Sequence, residues 1–289
     1  MSGWWQHLPE HLNPIFFSVG IFSVRWYAVC FMLGIGVMWL CLLASRRRFS
    51  WGMTEQKLED MFFWVLVGSF LGARLGYAFW YAPAYFLAYP IQIFWPFDPV
   101  TGHFSGIGGL SFHGALLGAA MGMYWWTRAN NFSFLVWTDR WVALIPLGII
   151  FGRLGNFFNG ELWGRPTDVA WGMFFPGAIG EVLRHPSQLY EMFGEGVLLF
   201  LFLLWIGRKK HRLGVLTAWF LFSYGAIRFI LEYWREPDMQ IGFIGGIFSL
   251  GQILSLGLVI FGGAWLWQLA GGLMKMRKKY AILKRLVKE

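Results

Sequence analysis

Charge is scarce in this chain. Only 13% of its 289 residues are Asp, Glu, Lys or Arg, about half the fraction usual in soluble domains, which argues against an ordinary soluble enzyme. Cysteine is rarer still: Cys30 and Cys41 share one apolar run, and on a helix they stand about 16 Å apart, too far for an internal disulfide. They read as small apolar fillers and carry no redox information. There is no His-Glu-x-x-His pair, no cysteine cluster and no glycine-rich loop of the nucleotide-binding kind. Nor do the acidic residues form the repeated carboxylate sets that hold catalytic Mg²⁺. The expectation is a protein without metal or cofactor. Residues 1–13 contain no Lys or Arg and no cleavable-signal pattern. Trp4 and Trp5 with His7 and His11 suggest a short segment at a membrane interface, where Trp is enriched, or a frayed end. No internal repeat, soluble domain or low-complexity tail is visible.

What the chain has instead is apolar and aromatic surface, 57% and 20% of its residues, gathered in runs. Runs of about 20 apolar residues match a hydrocarbon core of about 30 Å. Seven candidate spans follow: 17–43, 60–81, 109–127, 137–157, 193–207, 213–233 and 247–271, the fifth able to begin inside the preceding polar segment. The formal charge of +9 does not point to nucleic acid, because the basic residues stand in blocks beside apolar runs. Loops 44–59 and 208–212 carry four Lys or Arg each and the C-terminal tail seven, whereas 82–108 has none, 158–192 has only Arg165 and Arg184, and 234–246 has only Arg235. By the positive-inside rule the N-terminus lies outside and the C-terminus in the cytoplasm. The fold class expected is all-α: one integral membrane domain over 1–289, a polytopic bundle of about seven transmembrane helices, with 158–192 as a small outward-facing cap. In the second span Gly68, Gly72 and Gly76 share one face, the spacing of tight helix–helix packing.

Ionisable residues inside apolar runs are the informative ones, since each costs free energy in hydrocarbon unless paired or facing water. Arg74 lies in the second span, Arg153 near the outer end of the fourth with Asn156 one turn later, and Glu191 and Glu195 where the fifth begins. Arg228, Glu232 and Arg235 share one helix face by their offsets of four and seven. An ion pair that fixes packing accounts for Arg228 and Glu232 alone. Taken with Arg153, Arg165, Arg184 and Arg235, however, the census puts excess positive charge where topology disfavours it. A phosphate would offset that charge, so the residues read as a lipid phosphate site open to the outer leaflet. His113 among glycines is either a packing residue or a general base, and Tyr27 is an interfacial anchor or a cavity contact.

The segment Gly152-Arg-Leu-Gly-Asn-Phe-Phe-Asn-Gly-Glu-Leu-Trp-Gly164 closely resembles the motif of bacterial prolipoprotein diacylglyceryl transferases. So do His185-Pro-Ser-Gln-Leu-Tyr-Glu191, Tyr224-Gly-Ala-Ile-Arg-Phe-Ile-Leu-Glu232, Gly109-Leu-Ser-Phe-His113 and Arg25-Trp-Tyr27, in family order over nearly the whole chain. The resemblance implies transfer of the diacylglyceryl group of phosphatidylglycerol to the lipobox cysteine thiol of a prolipoprotein signal peptide, yielding a thioether and glycerol 1-phosphate. It implies a multi-pass protein of the bacterial cytoplasmic (inner) membrane; a monomer is the expectation, although the sequence itself does not give the oligomeric state. It makes Tyr27, Asn156 and Gly164 essential, places Arg153 at the lipid headgroup, gives weight to Arg228, Glu161 and Glu232, and makes His113 a proposed base. Asn159 and Arg235 join the substrate-binding set. Two features depart from the family pattern: Gly114-Ala115 stands where Gly-Gly is common, and the stretch from Pro176 to His185 is short, which bears on the shape of the cap. A lipid flippase or transporter with an arginine-lined cavity, and a lipid-binding scaffold, are the competing classes. Polar residues concentrated in one motif favour the transferase over a conduit.

Overall fold

A computed structural model describes residues 3–20, 22–49, 51–98, 101–103, 109–209, 211–237 and 243–286. The chain is mostly helical. A 3₁₀ helix, Trp4–His11, precedes an antiparallel hairpin of β1 (Ile15–Val19) and β2 (Phe22–Arg25). Then come α1 (Trp26–Phe49), α2 (Glu55–Trp80), the short α3 (Pro83–Ala88), α4 (Phe112–Ala129), α5 (Phe134–Val142) and α6 (Ile145–Asn159). After a largely irregular stretch, α7 (Ser187–Glu191), a π-helical turn (Met192–Leu198) and α8 (Leu199–Gly207) form one continuous rod. It is followed by α9 (Val215–Leu231), a second hairpin, β3 (Phe243–Ile244) with β4 (Phe248–Ser249), and α10 (Leu250–Leu286).

Among the described residues, four helical segments are long and apolar enough to cross a membrane: Trp26–Arg48, Glu55–Trp80, Ser187–Gly207 and Leu250–Gly271. A fifth arises if α5 and α6, bent by 42° at their junction, count as one. Helices fill all seven expected regions, but several bounds move. The first span, read from residue 17, starts at Trp26 because Gly20 with φ +58° turns the chain between two strands. A short apolar run does not distinguish strand from helix by hydropathy. The fourth is broken where Pro146 occupies the first turn of α6, since proline has no N–H to continue a helix from α5. The fifth begins early, at Ser187 inside the polar segment.

Two compact units divide the chain: Met1–Leu42 with Thr138–Glu289, and Leu43–Trp137. In the second unit α2 and α4 pack through glycine. A Cβ at Gly72 would lie 2.8 Å from the Cα of Gly118, and one at Gly76 as close to the Cα of Gly114, so the expected glycine face is a backbone-to-backbone contact. Arg74, buried in α2, donates to the carbonyls of Ile93, Gln92 (2.7 Å) and Gly109 (3.1 Å). Its charge holds loop carbonyls of its own unit. In the first unit Leu199 and Leu203 of α8 pack with Leu216 and Phe220 of α9. Asp139 caps α9 by accepting from Gly214 N (2.7 Å), Thr217 N (2.9 Å) and Thr217 Oγ1 (2.6 Å). The N-terminal 3₁₀ helix is tied down rather than frayed. Phe174 N donates to Gln6 O (2.8 Å), and His7 stacks on Phe174 with ring centres 4.8 Å apart.

Candidate functional site

The site lies in the first unit, where α6, the α7–π–α8 rod and α9 meet. The rod approaches its neighbours closely because of two glycines in the π turn. A Cβ at Gly196 would strike Ile150 of α6, and one at Gly194 would come within 3.0 Å of Ile227 and Leu231 of α9. Such π turns recur at functional sites because they re-aim side chains within a helix. Glu191 stands just before the turn and Glu195 within it, and both carboxylates are completely buried.

Three arginines converge on them. Arg153 of α6 brings Nε to 2.8 Å from Glu191 and NH2 to 3.7 Å from Glu195. Arg228 of α9 brings NH1 to 2.6 Å from Glu191 and 3.3 Å from Glu195, and NH2 to 2.7 Å from Glu232. Arg235 reaches Glu191 at 3.3 Å. Glu232 in turn accepts from Ser249 Oγ at 2.9 Å. Of the helix face expected from the offsets of Arg228, Glu232 and Arg235, the Arg228–Glu232 pair stands at the end of α9. Arg235 instead lies beyond the helix in a bridge to Gly164 and still reaches Glu191. The set closes on Arg153 through glutamates of the rod. The arginines are not equivalent. Arg153 has the most exposed side chain of the three, 19% against 13% and 9%, and Arg228 is held by both terminal nitrogens. Arg153 is held mainly through Nε, which leaves the outer edge of its guanidinium for a ligand.

The charge excess read from the arginines alone is smaller in space than in sequence. Arg165 donates to the carbonyls of Arg235 (2.9 Å) and Glu232 (3.3 Å). Arg184 pairs with Glu236 (3.1 Å), donates to Gly164 O (3.2 Å) and lies over the Trp163 ring. Both brace the loop that follows α6. What sequence reasoning missed is the part played by Glu191 and Glu195. Their spacing at a helix start was visible, but their partners stand on two other helices.

The motif that ends α6 folds into a tight polar turn. Gly160 adopts φ +65° as the left-handed C-cap, and Leu162 follows at φ +59°, which a branched side chain seldom adopts. Two side chains of α7 pin the turn: Gln188 Nε2 donates to Glu161 O (2.7 Å) and Ser187 Oγ to Leu162 O (3.0 Å). The Glu161 carboxylate accepts from Asn156 Nδ2 (3.0 Å) and Asn159 Nδ2 (3.3 Å), so these three expected site residues form one hydrogen-bonded set. Buried acceptor atoms Asn159 Oδ1 and Gln188 Oε1 stand beside it without a protein partner. Tyr27, in the first turn of α1, is half exposed, and α6 packs against its backbone: a Cβ at Gly155 would lie 3.0 Å from its Cα.

Gly164 has a packing reason of its own. Its N–H donates to His185 O (2.9 Å), it bridges to Arg235, and Arg165 N donates to Trp234 O (2.9 Å). A Cβ there would collide with the Trp234 carbonyl and stand 2.6 Å from the His185 carbonyl. His185 itself shares the Tyr190 hydroxyl through Nδ1 at 3.1 Å. Burial pushes its imidazole below the ordinary histidine value, against an opposing pull from Asp168. His113 is exposed in the first turn of α4 and belongs to the other unit, outside this first-unit geometry.

A buried set of guanidiniums with one edge open, beside an amide–carboxylate turn, suits an anionic headgroup carrying hydroxyls. Comparison with known proteins agrees in chemistry. The family model described as prolipoprotein diacylglyceryl transferase matches residues 14–268. The chain is 46% identical over 258 residues to the phosphatidylglycerol–prolipoprotein diacylglyceryl transferase of Vibrio vulnificus strain YJ016, covering 89% of this chain and 91% of the relative. It is 41% identical over 274 residues to the protein of that name from Chlorobaculum tepidum, covering 91% and 92%. With the Bordetella parapertussis protein of that name it shares 41% identity over 255 residues, covering 87% and 93%.

Proposed function

The chain belongs to the prolipoprotein diacylglyceryl transferase family, and on that premise we propose that it moves the diacylglyceryl group of phosphatidylglycerol onto the lipobox cysteine of prolipoproteins. The cysteine sulfur attacks the glycerol carbon that carries the phosphate. A C–S bond forms, the C–O bond breaks, and its electron pair leaves on the phosphate oxygen of glycerol 1-phosphate. The thiol proton passes to a base.

The observation that carries the reading is the open edge of Arg153, held from behind by Glu191. A departing phosphate monoester gains negative charge, so a cation fixed beside it strengthens its contact as the bond breaks and lowers the barrier. Arg228 holds the cluster's field, with Glu232 and Arg235 completing it. Asn156, Asn159 and Glu161 organise the headgroup pocket, and Tyr27 and Gly164 shape its walls. A free thiol has a pKa of about 8.5, so the attack needs a base or a positive field. His113 takes that role on the family resemblance. The nucleophile comes from the substrate, in keeping with Cys30 and Cys41 both lying within α1.

The same proposal extends to placement. Seven spans with the N-terminus outside and the C-terminus in the cytoplasm would set 158–192 as a cap on the outer face of the bacterial inner membrane. The site would open to the outer leaflet, and a monomer would suffice. Support comes from the basic loops 44–59 and 208–212 alternating with poorly basic ones.

The test is thioether formation on a lipobox peptide by the purified protein in phosphatidylglycerol vesicles. Transfer that persists unchanged in folded Asn156→Ala would remove the headgroup assignment. Lipid that crosses sealed vesicles without covalent product would support a flippase instead. For His113, an unchanged pH–rate profile in His113→Gln excludes the general-base role.

A further inference from the structure

Glu191 occupies an unusual position among the ionisable groups. It is fully buried, and three guanidiniums from two other parts of the first unit reach it: Arg153 at 2.8 Å, Arg228 at 2.6 Å and Arg235 at 3.3 Å. The two arginines that matter most to the proposed reaction approach different oxygens, Arg153 facing Oε2 and Arg228 facing Oε1. One carboxylate therefore sets the separation and the mutual angle of both. Glu195, also fully buried, lies within the π turn and meets the same two arginines more loosely, at 3.3 and 3.7 Å. No other acidic group among the described residues reaches Arg153.

We infer that Glu191 is the positioning residue of the site: through its two oxygens it aims the open edge of Arg153 at the lipid phosphate and holds Arg228 beside it, with Glu195 as a second, weaker stay. The inference rests on the transferase reading and adds a residue that does not touch the substrate. The physical reason is rigidity. An arginine side chain in a cavity has many rotamers, and phosphate binding alone would have to order it during each turnover. Held beforehand by a buried carboxylate, it meets the developing charge without reorganising. The π turn fits this role, because it lets Glu191 and Glu195 converge on one pair of arginines while Gly194 and Gly196 bring the rod against α6 and α9.

Charge and position have separable signatures. The cluster holds three guanidiniums, of Arg153, Arg228 and Arg235, against three carboxylates, of Glu191, Glu195 and Glu232, and is formally neutral. Glu191→Gln leaves it one charge more positive and its arginines less well aimed. An anionic lipid would then bind as tightly or more tightly while reacting slowly. Glu191→Asp keeps the charge but draws the carboxylate back by one methylene, so that it cannot meet all three arginines at once. Misplacement by about 1 Å near the reacting atoms lowers a rate about 100-fold.

The experiment measures kcat and KM for phosphatidylglycerol in vesicles, with a lipobox peptide as acceptor, for the natural protein and both variants. Glu191→Gln is expected to lose about 100-fold in kcat while its KM for phosphatidylglycerol falls. Glu191→Asp is expected to lose kcat with its KM unchanged. A purely structural role would reduce the yield of folded protein but would not tighten KM. Natural kcat in folded Glu191→Asp overturns the inference, and does so even where Glu191→Gln fails to fold. If the natural protein makes thioether and both variants equal it, the positioning role alone falls. If the natural protein makes none, the transferase reading falls and takes this one with it.

Discussion

Replacing Gly164 with alanine inserts one methyl group where three stretches of backbone cross. The new Cβ would stand 2.6 Å from the carbonyl oxygen of His185 and 2.7 Å from its Cβ, and closer still to the carbonyl of Trp234, whereas ordinary contact begins near 3.4 Å. Relief requires a shift of about 1 Å in backbone groups, because no flexible side-chain end can give way. Overpacking of this kind typically costs about 1–3 kcal/mol, which a domain of this size can survive. Function has less tolerance. Gly164 bridges to Arg235, and Arg235 contacts Glu191, which holds Arg153. A displacement near 1 Å passed along that path lowers the transfer rate by about 100-fold. The assay is the initial rate of thioether formation per mole of folded Gly164→Ala, with folding followed by thermal unfolding in detergent. A variant that melts a little lower and transfers at least tenfold more slowly fits the account. Natural activity would refute it, because the crossing would then be free to relax without disturbing the arginines.

Other substitutions probe separate parts of the fold. Asp139→Ala removes the acceptor of three hydrogen bonds at the start of α9 and should cost about 1–3 kcal/mol in unfolding experiments, with the rate per folded molecule unchanged. Gly72→Leu drives a side chain into the backbone of α4 and should abolish the recovery of folded protein, read as loss of a monodisperse detergent complex. Gln188→Leu leaves the Glu161 carbonyl without its 2.7 Å donor. It should cost about 1–3 kcal/mol in unfolding and slow transfer by loosening the Asn156–Glu161 pair.

Much of this was legible in the sequence, and the rest was hidden for identifiable reasons. Apolar runs located the helices because burial in hydrocarbon demands them, but hydropathy could not show the hairpin at Gly20 or the bend before Pro146. The face shared by Arg228 and Glu232 follows from helix periodicity and is present at 2.7 Å. The glycine contact of α2 was readable for the same reason, although its partner helix was not. Periodicity relates residues within one element only. The meeting of Arg153, Glu191 and Arg228 joins three elements, and only the fold reveals that the arginines already have counter-ions. Arg165 and Arg184 counted toward a phosphate site in the census, yet they brace backbone carbonyls and Glu236. Their intervals along the chain carried no sign of that.

The central claim is that the open edge of Arg153 stabilises phosphate as it leaves phosphatidylglycerol. Its most direct test is the rate of thioether formation by folded Arg153→Ala on a lipobox peptide, at saturating phosphatidylglycerol. Loss of one preorganised donor to a developing anion lowers kcat by about 10²–10³, and that loss is the predicted result. A folded Arg153→Ala that turns over as the natural protein does would contradict the account.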